Sequence, residues 1–126
     1  MQDQPAAKDL VTAVREFIET VAMPKLEGHA GFHARVAANA LAIVERELAI
    51  APVEDAHEAA RLNGLLDRFG TLRELNDALC NEIREGHITL ETPGLADHLW
   101  KTTLTKLAID QPRYAAYKRA MQESAS

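Results

Sequence analysis

Apolar residues return at helical spacing in run after run along this chain, and proline and glycine stand between the runs. Leu10, Val11, Val14, Phe17, Ile18 and Val21 fall on one helical face, with Lys8, Thr12, Arg15, Glu16 and Glu19 elsewhere. Pro24 then removes a backbone donor, and Gly28 and Gly31 favour a break. A second run, about 31–50, spreads Phe32, Val36, Ala37, Ala40, Leu41, Ile43, Val44 and Leu48 over about half of the helix circumference. So wide an arc marks the central, most buried helix. Ala51-Pro52 ends it, and Pro52 opens a third helix that runs to about Phe69 through Ala56, Ala59, Leu62, Leu65 and Leu66, with Gly70 as its stop. Thr71 and Glu74 form a capping box for a fourth, in which Leu72, Leu75, Leu79 and Ile83 precede Gly86. Thr92-Pro93 repeats the start signal for a fifth helix up to Asp110, and Pro112 restarts a short sixth carrying Tyr114, Tyr117 and Met121. The segment HITLE at 87–91 alternates like a strand but has no partner run, so it reads as an extended loop. The pattern predicts an all-α protein: a single bundle of five or six helices, the second of them (about 31–50) central, in one domain over residues 1–126 with frayed ends.

Composition agrees with a folded chain. Hydrophobic residues make up 47% and charged residues 26%, which is globular usage, and the 126 residues are enough for one core. Aromatics are 5%, so Leu, Ile, Val and Ala must build that core, which suits closely approaching helices. A single cysteine, Cys80, can form neither an internal disulfide nor a cysteine metal cluster, and fits a reducing cytosol. The start MQDQPAAKD lacks the basic and apolar regions of a signal peptide, and no apolar run approaches the roughly 20 residues of a membrane span. A cytoplasmic protein with no membrane contact is expected. The net charge of -5 disfavours nucleic acid. From Lys101 onward, however, Lys101, Lys106, Arg113, Lys118 and Arg119 face only Asp110 and Glu123, a local +3 that leaves the first 100 residues at -8.

Chemistry-bearing patterns are sparse. The serines are Ser124 and Ser126, on a polar tail that cannot hold a nucleophile in place, and Cys80 has no activating histidine or lysine in its helix. His29 and His33 have the i, i+4 spacing of a metal clasp with Glu27 nearby, but Gly31 lies between them and no third ligand follows at an informative spacing. No Walker loop, GxGxxG or HExxH occurs. No catalytic residue, cofactor or metal is therefore assigned. His33, Asn39 and Asn76 sit where the pattern asks for hydrophobes, and buried polar groups need partners, so these three either satisfy one another or free helix ends in a network that fixes helix register, or mark a polar pocket or a partner-binding surface at the N-terminal half of the second helix. Glu47 shares the apolar side of the second helix but lies 14 residues past His33, some ~21 Å along the axis, so the two cannot pair within it. Arg113, Tyr114 and Tyr117 are the candidates for binding a protein partner, since arginine and tyrosine are enriched in interface hot spots.

Three strings carry a resemblance: FHARVAANALAIVERE at 32–47, LNDALCNEIREG at 75–86 and KLAIDQPRY at 106–114. Together they resemble a bacterial all-helical domain family of unknown function, encoded beside aminoglycoside-phosphotransferase-like kinases and acyl-CoA dehydrogenases. Its functional lead is similar to the small companion subunit of a 4-hydroxyacyl-CoA kinase of levulinate breakdown. The resemblance covers about residues 8–118 and brings no catalytic motif with it; members often carry Asn at the position of Gln111. It implies a non-catalytic accessory subunit for such a kinase, and leaves room for a homo-oligomer. The alternative is a free-standing helical protein that binds an acyl-CoA or similar acid, using the basic C-terminal residues for its phosphates. A helix-turn-helix regulator is disfavoured, because no basic recognition helix is present.

Overall fold

The computed structural model describes residues 3–125. Along the chain run α1 (Ala7–Phe17), a π-helical turn (Ile18–Ala22), a 3-10 turn (Met23–Lys25), α2 (Gly28–Leu66), α3 (Leu72–Arg84), α4 (Leu95–Asp110) and α5 (Ala115–Ala125). The described residues contain no strand, so the all-helical expectation holds. None of these helices is long and apolar enough to cross a membrane.

Local signals set most of the boundaries. The Thr71 hydroxyl accepts the Glu74 N–H at 3.1 Å and starts α3, as the capping box predicts. Gly86, at φ 78°, follows the end of α3 with its N–H on the Ile83 carbonyl, in a left-handed conformation that favours glycine. Thr92 does not cap α4. Its hydroxyl accepts the Thr89 N–H at 2.9 Å and ties the 87–91 loop to itself, while Gly94 at φ 95° is the residue that precedes the helix. A β-carbon at Gly94 would also stand 3.4 Å from Leu65 Cδ2.

The expected break at Pro52 is absent: α2 passes straight through it for 39 residues. A proline deprives the helix of one bond, to the carbonyl four residues back, but Pro52 and Leu48 are both exposed, so water can serve that carbonyl. The third run also ends earlier than its apolar spacing suggests. Asp67 takes φ 51°, leaves the helix after Leu66, and puts Phe69 out at 87% exposure.

Contacts divide the described chain into two compact units that part between Ala51 and Pro52. In the second unit, Leu62 and Leu75 are fully buried and join Leu79, Ile88 and Leu95 in one core, with Leu65, Leu66 and Leu72 packed against it. Each such leucine or isoleucine withdraws apolar surface worth roughly 1.5–3 kcal/mol. Ile88 enters that core from the loop, which is why an irregular segment is held in place. In the first unit, Glu45 of α2 accepts from Thr12 Oγ1 and Arg15 Nε of α1, and Arg15 Nη1 also donates to Glu19 at 2.9 Å. These bonds hold the Glu45 carboxyl below its ordinary pKa, the Arg15 bond being the strongest influence.

The second helical run is therefore not the most buried. Ala38 is the one buried hydrophobic among the described residues of the first unit, whereas Phe32, Val36, Val44 and Leu48 of α2 and Leu10, Val14 and Phe17 of α1 are all exposed. A wide apolar arc shows that a helix has a face in need of cover. Its spacing says nothing about which molecule supplies the cover.

Candidate functional site

The polar groups that meet inside the second unit come from two matched stripes. Glu54, Glu58 and Arg61 follow one another at steps of four and three on α2, and His98, Thr102 and Thr105 do so on α4, so each set lines one helical face. Arg61 Nε donates to His98 Nδ1 at 3.1 Å and Arg61 Nη2 to Thr102 Oγ1 at 3.2 Å. At the other end Thr105 Oγ1 donates to Glu54 Oε2 at 3.4 Å. Residue 61 opposite 98 and 54 opposite 105 is an antiparallel register. Glu58 completes the row from the side of α3, where its Oε2 accepts from Asn76 Nδ2 at 3.1 Å; the same nitrogen also donates to the Leu72 carbonyl at 3.0 Å.

His98 is 1% exposed. A guanidinium cannot accept a hydrogen bond, so Nδ1 must carry a lone pair and the proton of the neutral ring sits on Nε2. Burial pushes the His98 pKa down and the Arg61 charge pushes the same way, against smaller upward effects of Glu58 and Asp97. The cluster clamps α2, α3 and α4 at fixed register.

Of the three residues expected to form a buried polar network, only Asn76 is half-buried and bonded. His33 and Asn39 are exposed on α2, and this corrects their assignment as buried: the arc they interrupt is itself uncovered. The buried polar residue is His98, whose signal in the sequence is its place three residues after Leu95 on the apolar face of α4. Cys80 is exposed and not a core residue. His29 is exposed too, and among the described residues no group of three or more His, Cys, Asp or Glu side chains is placed to hold a metal ion.

Of the partner-binding candidates, Arg113 and Tyr114 are exposed in the link between α4 and α5, Tyr114 at 54%. Tyr117 is half-buried on α5, near the buried Ala120, so it serves packing more than display. Trp100 on α4 is 55% exposed. A cavity of about 250 Å³ lies elsewhere in the same unit, lined by Leu65, Leu66, Arg68, Ala78, Glu82 and Ile88.

The family of the domain of unknown function DUF6285 matches residues 24–114. No curated protein and no solved structure matches the chain.

Proposed function

This chain belongs to the DUF6285 family, a domain of unknown function, and we propose that it serves as a non-catalytic companion subunit, docking on a protein partner through its basic C-terminal segment. The observation that carries this reading is the exposure of Arg113 and Tyr114 side by side in the link before α5, both of residue types that dominate interface hot spots. The segment from Lys101 onward bears a local +3 charge, which suits an acidic surface on the partner. The resemblance drawn from the sequence supplies the partner class: an aminoglycoside-phosphotransferase-like kinase acting on hydroxyacyl-CoA. The alternative, a free-standing acyl-CoA binder, would use the same basic segment for the ligand's phosphates.

The test is to express the neighbouring kinase alone and together with this chain. Alone, the kinase is expected to be poorly soluble or inactive on hydroxyacyl-CoA; with this chain it co-purifies and works. The double variant Arg113→Ala, Tyr114→Ala should melt like the parent, because both positions are exposed, yet rescue the kinase at least tenfold less well. A kinase that is fully active without this chain and never co-purifies with it would sink the proposal.

A further inference from the structure

The exposed face of α2 has an internal symmetry that the companion-subunit reading does not use. Phe32, Val36, Ala40, Val44 and Leu48 form one i+4 row, every member of it exposed. At 100° per residue, His33, Val36, Ala40, Val44 and Glu47 lie within about 80° of arc, with Phe32 and Leu48 flanking them on opposite sides. The face reads alike in both directions from Ala40: valines at four residues either way, large apolar side chains at eight, and at seven a histidine on one side and a glutamate on the other.

We propose that this face binds a second copy of the chain, with the two α2 helices antiparallel about a two-fold axis at Ala40. That axis sets Val36 of one copy against Val44 of the other and Phe32 against Leu48, twice each. It also brings His33 of one copy to Glu47 of the other. Within one protomer these two are 14 residues apart, too far to meet; across the axis they form a complementary polar pair at each end of an apolar seam. Ala40, small and central, lets the helix axes approach to the ~8 Å end of the usual range.

Phe32, Val36, Val44 and Leu48 are each exposed at about two-fifths or more, and together they leave on the order of 300 Å² of apolar surface on one face, the size of the largest patch on an ordinary monomer (roughly 300–600 Å²). On α1, Leu10, Val14 and Phe17 lie within about 60° of arc as a separate exposed stripe. The face differs from the one assigned to the kinase, so failure of either proposal is read separately.

Light scattering on the full chain at micromolar concentration should give a dimer, and Ala40→Arg, which drives a charge into the axis, a monomer of unchanged helicity. In a Cys80→Ala background, Ala40→Cys should form a self-disulfide on mild oxidation, because a two-fold axis places the residue against its own copy; Arg35→Cys, on the opposite side of α2, should not. His33→Glu should weaken association about tenfold by setting like charges together, and adding Glu47→Lys should restore it. A monomeric parent chain, a dimer that survives Ala40→Arg, or no cross-link at Ala40 overturns the proposal. If Ala40→Arg fails to fold, the cysteine pair and the charge exchange decide it.

Discussion

A histidine ring that is 1% exposed and takes the Arg61 Nε–H on Nδ1 is held towards its neutral form in the folded protein. A proton on Nδ1 breaks that bond and sets two cations side by side. His98 therefore has a folded pKa below the ordinary value near 6.5, by burial first and by Arg61 second, and protonation favours the unfolded chain. Its contribution to stability is fully present above about pH 6.5 and is lost as pH falls from there towards the depressed folded value. Urea melts between about pH 8 and about pH 5 should show this decline. His98→Leu should flatten it, isolating His98 from the other four histidines, and should cost about 1–3 kcal/mol at the alkaline end, where Arg61 Nε is left without its acceptor. Equal pH slopes in the two proteins would show that another group titrates. His33 stands in contrast: it is exposed, so its replacement removes nothing from the core of the protomer.

Among the elements, α2 holds the sharpest conflict between local preference and the observed structure. Pro52 sits inside it, close to where the two compact units part. Pro52→Ala restores a backbone donor that can bond the Leu48 carbonyl and should raise stability by about 1–3 kcal/mol; a lower melting temperature would mean that the rigid proline backbone matters more than the missing bond. The same helix shows what was legible in the sequence and what was not. Thr71 and Gly86 were legible because the bonds that cap a helix span three or four residues. Pro52 marked the division between units and not a helix end, because a proline at an exposed position costs a single bond that water can replace. The apolar arc of residues 31–50 identified a face correctly but assigned it to the interior, since periodicity does not say what covers a face. The His98 cluster was not legible, because its partner Arg61 lies 37 residues away and only the packing of α2 against α4 brings them together. Arg113 and Tyr114 were legible as exposed types, whereas Tyr117 needed the packing of α5 to be told apart from them.

At the scale of the whole molecule, apolar burial is distributed very unevenly. The core of Leu62, Leu75, Leu79, Ile88 and Leu95 belongs wholly to residues 52–126, while Ala38 is the one buried hydrophobic among the described residues before them. A region that hides so little apolar surface opens at low free energy unless something binds its folded form, because local stability follows buried contacts. Hydrogen exchange measures this residue by residue. Amides of α3 and of α4 next to the His98 clamp should exchange near the limit set by global unfolding, and those of α1 and of α2 before Ala51 faster. If a second copy covers the first unit, its protection should also rise with protein concentration, as any binding to the folded state requires. In Ala40→Arg that concentration dependence should vanish and protection across α1 and early α2 should fall at least tenfold, with α3 unchanged. Equal protection in the two units of the monomeric variant would show that the Glu45 bonds to Thr12 and Arg15 suffice to hold α1 without its apolar stripe being covered.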